Sequence, residues 1–190
     1  ESGKETLTET AWNLCNLEDT LDLLLDRDIY KKQLTLKKNM ELQHPKVYCD
    51  VLKVREITMN LLSNAVKYTP EGGTIHFTIR ELPYEREGYA LFQTVVEDTG
   101  IGISKEYIPH LFEAFTREKS SSESGIIGTG LGLRIVKKFV DLMEGSIVVE
   151  SEIGKGTRFT VTIPHRIATA NEYISEENAK ELSEEITLNN

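Results

Sequence analysis

A mostly apolar run that ends in an acid and two spaced glycines constrains this chain more than any other feature. Residues 89–96 predict a buried strand, and Asp98 to Ile103 follow at its end. A carboxylate there can accept a hydrogen bond from the exocyclic amine of adenine. Glycines at positions 100 and 102 let the backbone approach a flat ligand closely. Ordinary turns between strands share this pattern, so the interpretation depends on the rest of the chain.

A second segment, residues 50–68, predicts a largely buried helix with one narrow polar stripe. Asp50 suits the N-cap position, and apolar residues occupy most of the remaining circumference. The stripe covers an arc of roughly 80° at 3.6 residues per turn. Its members are Glu56, Asn60, Asn64 and Lys67. The stripe faces either solvent or a pocket, and two asparagines one turn apart favour the pocket because asparagine is a poor helix former.

A third segment, Gly128 to Leu133, has three alternating glycines and precedes a strongly amphipathic helix. Exposed amides at a helix start, together with the helix macrodipole, favour a phosphate group. The segment lacks the Lys-Ser/Thr pair of a P-loop, so it is a weak signal by itself. The small, polar run 120–125 before it is a candidate lid.

The remaining segments predict helices and strands in mixed order. Asn16 is a candidate cap for a first helix, residues 105–115 predict a short helix, and Gly145 is the candidate C-terminal cap of the amphipathic helix. Alternating patterns predict strands at 32–42, 74–80, 146–151 and 157–163. This order predicts an α/β (α+β) two-layer sandwich, in which about three helices cover one face of a mixed, mostly antiparallel, five-stranded sheet.

Composition excludes several classes of function. The chain has 190 residues and a net charge of −9, which argues against a general nucleic-acid surface. It has no apolar run long enough to span a bilayer and no visible signal peptide. The two cysteines, Cys15 and Cys49, are read as free thiols. The four histidines are scattered and show no metal-ligand spacing.

Taken together, these segments resemble the ATP-binding catalytic domain of sensor histidine kinases. That domain belongs to the Bergerat-fold ATPases, with heat-shock chaperones, MutL and type II topoisomerases. Residues 56–69 resemble the asparagine box, 98–103 the first glycine box, 112–117 the phenylalanine box, 128–133 the second glycine box and 154–157 the late glycine turn. Each signature is short, but the four boxes in order within roughly residues 15–164 are a specific combination.

The resemblance implies roles for the matching residues. Asn60 would give an oxygen to Mg²⁺, Asp98 would bind the adenine amine, and Arg117 would donate to the γ-phosphate. The implied catalytic set is Glu56, Asn60, Lys67 and Arg117. The implied nucleotide-binding set is Asn60, Asn64, Lys67, Tyr68, Asp98, Gly100, Gly102, Ile103, Gly128, Thr129, Gly130, Leu131, Gly132, Leu133 and Thr157. Phe112 and Phe115 are expected to anchor the lid in the core.

Glu56 leaves two reactions open. In the ATP-hydrolysing branches of the superfamily an acid at this position activates water. In histidine kinases the matching residue varies, and it can polarise either the incoming imidazole or Mg-bound water. The phenylalanine box and the form of the second glycine box favour a histidine kinase. The alternatives are a chaperone- or MutL-like ATPase and a nucleotide-binding module without phosphotransfer. The retained Asn60, Asn64, Lys67 and Arg117 speak against the last of these.

The chain departs from a complete histidine kinase because none of its four histidines fits the phosphoacceptor pattern. We therefore expect residues 1–16 to be a connector from a missing dimerisation hairpin, residues 17–164 the catalytic domain, and residues 165–190 an acidic linker or tail. The resemblance implies a phosphoacceptor histidine on that hairpin, in cis or in trans, and a response-regulator receiver domain as partners. It also implies a homodimeric parent chain, a monomeric fragment, and a cytoplasmic location in a membrane-bound bacterial sensor.

Overall fold

The computed structural model describes residues 5–113 and 131–173, to which the structural statements below refer. Alternating strands and helices build two layers. The strands are β1 (Thr10–Asn13), β2 (Thr35–Glu41), β3 (Lys46–Cys49), β4 (Thr74–Leu82), β5 (Tyr89–Asp98), β6 (Ser146–Glu152) and β7 (Gly156–Ile167). The α-helices are α1 (Asn16–Lys31), α2 (Val51–Tyr68) and α3 (Gly132–Leu142). A short 3₁₀ turn covers Ile108–His110. No helix in these ranges is both long and apolar enough to cross a membrane.

The strands form one mixed sheet in the order β1-β3-β7-β5-β4-β2, with β6 pairing beside β3 on the same side of β7. The β2–β4 pair is parallel, whereas the other pairs are antiparallel. The predicted sandwich is confirmed, but the sheet has seven strands rather than five. The strand β1 was missed because four residues are too few to show a period of two.

The folded unit extends beyond the predicted boundaries of residues 17 and 164. Trp12 and Leu14, in the predicted connector, belong to the hydrophobic core. At the other end, β7 continues to Ile167. Thr169 then caps a helical turn, because its hydroxyl accepts a hydrogen bond from the Glu172 N–H and its own N–H donates to the Glu172 carboxylate. The predicted tail therefore begins as part of the domain.

Helix α2 is the centre of the helical layer. It contacts α1 and α3 on its sides and β4 and β5 beneath it. The predicted N-cap is confirmed, since the Asp50 carboxylate accepts a hydrogen bond of 3.2 Å from the Lys53 N–H. Leu61 and Leu62 are fully buried, so α2 is held by apolar packing on most of its circumference.

Three local predictions need correction. Cys15, not Asn16, is the N-cap of α1, and it makes no side-chain capping bond. Of the helix predicted at 105–115, the described part contains only turns and the 3₁₀ turn. Glu144 adopts the left-handed conformation (φ 59°) after α3, and Gly145 follows it. Gly145 is glycine for another reason: a Cβ there would lie 2.6 Å from the Thr162 carbonyl oxygen.

Candidate nucleotide site

Asp98 is a buried acid beside the glycine turn. It terminates β5, where Thr157 of β7 lies opposite it in the antiparallel register. The residue is only 8% exposed. It accepts a hydrogen bond of 2.8 Å from the Gly100 N–H and another from the Thr157 N–H. Burial raises the pKa of Asp98 from 3.8 to about 6, although these two donors act in the opposite direction.

The turn after Asp98 has no space for side chains at its glycines. A Cβ on Gly100 would lie 2.6 Å from both the Asp98 carboxylate oxygen and the Tyr68 carbonyl oxygen. Gly102 has a φ of +74°, and a Cβ there would lie 2.1 Å from the Glu152 carbonyl oxygen. Close approach of neighbouring atoms therefore requires glycine at both positions, and the positive φ is a second reason at Gly102. The sequence predicted both glycines as part of a tight turn.

Backbone hydrogen bonds attach this turn to two neighbouring elements. The Ile101 N–H donates to the Tyr68 carbonyl at the end of α2, over 3.2 Å. The Ile101 carbonyl accepts from Gly154 in the β6–β7 turn, over 2.8 Å. The Ile103 N–H donates to the Ser151 hydroxyl, over 2.8 Å. These hydrogen bonds hold the turn in place against α2 and the β6–β7 hairpin.

The C-terminus of α2 is also fixed, although its last four carbonyls lack partners within the helix. Ala65 accepts from the Thr69 N–H, and Tyr68 accepts from Ile101. The remaining two, of Val66 and Lys67, accept from the Lys32 ammonium group at 2.6 and 3.2 Å. A cation at this end also interacts favourably with the helix dipole, although burial lowers the pKa of Lys32.

The polar stripe of α2 lies where the helix is not covered by the core. Glu56 is exposed, whereas Asn60, Asn64 and Lys67 are half-buried. The Asn60 amide nitrogen donates to the Glu56 carbonyl over 2.8 Å. Since that carbonyl can only accept, the amide oxygen of Asn60 is the atom left for another partner.

The start of α3 lies directly against Asn60. A Cβ on Gly132, the first residue of α3, would lie 2.5 Å from the Asn60 amide oxygen. The N-cap residue, Leu131, makes no side-chain capping bond. Leu133 is half-buried and packs against the core. The structure therefore brings the predicted amide stripe and the last part of the predicted phosphate segment to one place.

The described residues offer little else to hold a metal ion. They contain no group of three or more histidine, cysteine, aspartate or glutamate side chains arranged for a metal. Mg²⁺ is commonly held by one or two protein oxygens together with substrate phosphates and water. The amide oxygen of Asn60, beside the start of α3, fits that pattern, so this oxygen suits Mg²⁺ bound jointly with a nucleotide.

Several predicted residues lie outside the described ranges. These are Phe115, Arg117, Gly128, Thr129 and Gly130. Their implied roles stay predictions. Of the phenylalanine box, Phe112 is described and is half-buried.

Sequence reasoning missed two residues that hold the site together, Lys32 and Ser151. Ser151 had a recognisable signal, because it continues the inward-facing register of Ile147 and Val149 on β6. A polar residue at an inward strand position implies a buried hydrogen-bond partner. Lys32 had no local signal, since its partners are more than 30 residues away along the chain.

Comparison with known proteins places this site in a family. Residues 49–167 match the family described as histidine kinase-, DNA gyrase B- and HSP90-like ATPase. The chain therefore belongs to this ATPase family. Within it, the chain is similar to sensor proteins and to catalytic domains of histidine kinases.

The sensor protein GacS of Pseudomonas syringae pv. syringae is 37% identical over 165 residues, which cover 86% of this chain and 18% of GacS. The structure of full-length ShkA in complex with AMPPNP is 26% identical with a TM-score of 0.71, over 89% of this chain and 33% of ShkA. The nucleotide-free catalytic domain of the histidine kinase ThkA is 26% identical with a TM-score of 0.67, over 83% of this chain and 95% of that domain. The chain thus spans less than a fifth of a curated relative but nearly all of an isolated catalytic domain.

Proposed function

We propose that this chain binds Mg-ATP between α2, the glycine turn and the start of α3, and transfers the γ-phosphate to a histidine on a separate domain. The observation that carries the proposal is the placement of Asp98 and Asn60. Gly100 lies close both to the Asp98 carboxylate and to the Tyr68 carbonyl at the end of α2. Asn60 lies eight residues earlier on the same helix, about 12 Å along its axis.

The adenine end would be recognised by the Asp98 carboxylate. Two of its acceptor positions are taken by the N–H groups of Gly100 and Thr157. Its remaining lone pairs can accept from an exocyclic amine. Tyr68, Gly100, Gly102, Ile103 and Thr157 would line this end, as the resemblance implies.

The phosphate end would be formed by α2 and the start of α3. The amide oxygen of Asn60 would hold Mg²⁺, which neutralises phosphate charge when it is bound. Asn64 and Lys67, on the same half-buried stripe, would contact the phosphates. The amides at the start of α3, Leu131 to Leu133, would meet them at the positive end of a helix dipole, and the glycine segment that begins at Gly128 would complete this binding surface.

In the transfer itself, the domain would position the reactants and neutralise charge rather than take part covalently. The imidazole nitrogen would form a bond to the γ-phosphorus while the bond to the β–γ bridging oxygen breaks. ADP would leave with that electron pair, and the imidazole would lose its proton. Glu56, exposed at the start of the stripe, would face the incoming imidazole, and Arg117 would stabilise charge on the γ-phosphate.

The phosphoacceptor would come from outside the described part of this chain. The Nδ1 atom of His44 lies within hydrogen-bond distance (2.6 Å) of the Glu81 carboxylate, and His76 is an exposed strand residue. His110 ends the 3₁₀ turn. His165 is buried in β7, and burial lowers its pKa to about 4. None of the four lies on a helical hairpin in the described ranges.

The same proposal covers the parent protein. A histidine on a dimerisation hairpin would accept the phosphate, in cis or in trans, and would pass it to a response-regulator receiver domain. The parent would be a homodimeric sensor whose catalytic domain lies in the cytoplasm, and this chain alone would be a monomer. The names of two relatives, a sensor protein and the catalytic domain of a histidine kinase, support the kinase part of this assignment.

A calorimetric titration of this chain with ATP, with and without Mg²⁺, tests the nucleotide site. We expect micromolar to submillimolar binding that Asn60→Ala makes independent of Mg²⁺. The absence of binding by the wild-type chain at millimolar ATP would refute the site.

A second assay distinguishes kinase from ATPase. The chain is incubated with radiolabelled ATP and the phosphoacceptor hairpin of its parent protein. A histidine kinase yields acid-labile, base-stable phosphate on the hairpin. Phosphate release without hairpin labelling, abolished by Glu56→Gln, would instead support an ATPase in which Glu56 activates water.

A further inference from the structure

The Ser151 hydroxyl has all of its hydrogen-bonding capacity used beside the adenine end of the site. It accepts from the Ile103 N–H at 2.8 Å, and it donates to the Gly156 carbonyl at 2.9 Å. It also lies 2.8 Å from the Thr157 hydroxyl oxygen. Ser151 and Thr157 are direct partners in the β6–β7 register, so ladder pairing and hydroxyl contact reinforce each other.

These three contacts determine the direction of the bond between the two hydroxyls. A serine hydroxyl has one proton and two lone pairs. An amide N–H can only donate and a carbonyl can only accept, so the Ser151 proton is directed to Gly156 and one lone pair to Ile103. The second lone pair is left for Thr157. The Thr157 hydroxyl therefore donates its proton to Ser151 and keeps only lone pairs for any other partner.

Thr157 lies opposite Asp98, and the Thr157 N–H donates to the Asp98 carboxylate. An ionised carboxylate is an acceptor only. The two neighbouring side chains at this end of the cleft thus present acceptors without a donor. Such an arrangement matches an amine, which carries two N–H donors. A carbonyl oxygen at the same position of the ligand would find no hydrogen-bond donor there and would bind less well.

We infer that Ser151 is a positioning residue that sets the nucleotide specificity of the site, by holding the Thr157 hydroxyl proton away from the cleft. This inference rests on the proposed function and adds to it a reason why the site would select a 6-aminopurine over a 6-oxopurine. Without Ser151, the Thr157 hydroxyl is free to rotate and donate to a ligand carbonyl.

The test compares the dissociation constants of ATP and inosine triphosphate, which carries a carbonyl oxygen in place of the amine. In Ser151→Ala, we expect the preference for ATP to fall about fivefold, the effect of one neutral hydrogen bond. Ser151→Thr keeps the hydroxyl and should restore most of the preference. Ser146→Ala is the matched control, because Ser146 lies at the exposed first position of the same strand.

The ratio of the two constants separates a specificity role from a structural one. Partial unfolding lowers the apparent affinity for both nucleotides by the same factor, so it cancels in the ratio. Thr157→Val removes the hydroxyl that Ser151 orients. If the inference is right, adding Ser151→Ala to Thr157→Val changes the ratio no further.

Three results would overturn the inference without refuting the proposed nucleotide site. An unchanged ratio in Ser151→Ala would show that Ser151 only supports the fold. Additive effects of the two substitutions would show that Ser151 does not act through Thr157. Wild-type binding of both nucleotides with equal affinity would overturn this inference while leaving the proposed nucleotide site intact. Failure of the wild-type chain to bind either nucleotide would instead refute the proposed function, and the inference with it.

Discussion

The buried carboxylate of Asp98 is expected to lower the stability of the fold that carries it. Its pKa is 3.8 in an exposed setting and about 6 in the structure, because burial disfavours the charged form. A group whose folded pKa is raised favours the native state at low pH and loses that contribution as pH rises through the folded value. The shift corresponds to about 3 kcal/mol at neutral pH.

The perturbation that isolates this cost is Asp98→Asn, which keeps the shape and removes the charge. By linkage, the wild-type penalty is about 1 kcal/mol at pH 4.5 and about 3 kcal/mol at pH 8. The variant loses one acceptor for Gly100 or Thr157, at a cost of about 1–3 kcal/mol that does not depend on pH in this range. The stability of the variant relative to wild type should therefore rise by about 2 kcal/mol between pH 4.5 and 8.

Urea unfolding of both proteins across this pH range measures the difference directly, since other titrating groups cancel between them. Asp26→Asn is the control, because Asp26 is exposed on α1, and its effect should stay within about 0.5 kcal/mol at each pH. In the same preparations, Asp98→Asn should weaken ATP binding about 10- to 100-fold, as expected for a charge-assisted hydrogen bond. A stability difference that is constant across pH would refute the conclusion that Asp98 is desolvated.

Three further predictions follow from the contacts around the site. Lys32→Met should lower the free energy of unfolding, measured by thermal unfolding, by about 1–3 kcal/mol, because two α2 carbonyls lose a charged donor. Lys31→Met is the control and should have little effect, because Lys31 is exposed. Gly102→Ala should destabilise the fold by more than Gly154→Ala. Both glycines have positive φ, which costs a side chain about 1–2 kcal/mol, but only at Gly102 would the new Cβ clash with a backbone atom, the Glu152 carbonyl oxygen. Equal effects in urea unfolding would contradict the steric reason. His165→Leu should remove up to about 3 kcal/mol of acid sensitivity, because a pKa lowered from 6.5 to about 4 makes the native state lose stability as pH falls through that window. Unchanged acid-unfolding curves would contradict the buried, neutral state of that histidine.

Local chemistry was sufficient to predict the elements that build the site. Asp50 caps α2 as expected because N-cap preference is a property of a few neighbouring residues. The glycine requirement at positions 100 and 102 was also predicted, because tight turns next to a strand rarely tolerate a side chain there. The family resemblance added the roles of Asn60 and the start of α3, and the structure brings Asn60 and Gly132 together.

Errors arose where a local pattern was short or had competing solutions. The strand β1 has only four residues, and it is stabilised by pairing with β3 and by burial of Trp12 rather than by its own periodicity. The α3 terminus uses Glu144 in the left-handed conformation, although glycine normally has that role. Gly145 was needed one residue later because β7 passes so close to it.

The sequence by itself determined the two-layer class, the central helix and the identity of the buried acid, since each depends on periodicity, capping or turn chemistry within a few residues. Only the tertiary structure decided how the walls of the cleft are held in place. Lys32 reaches α2 across 34 residues, and Ser151 reaches the glycine turn across 48. The local sequence around each partner does not determine how close the two partners lie in the folded chain. These hydrogen bonds therefore form only when the sheet and the helices have packed together.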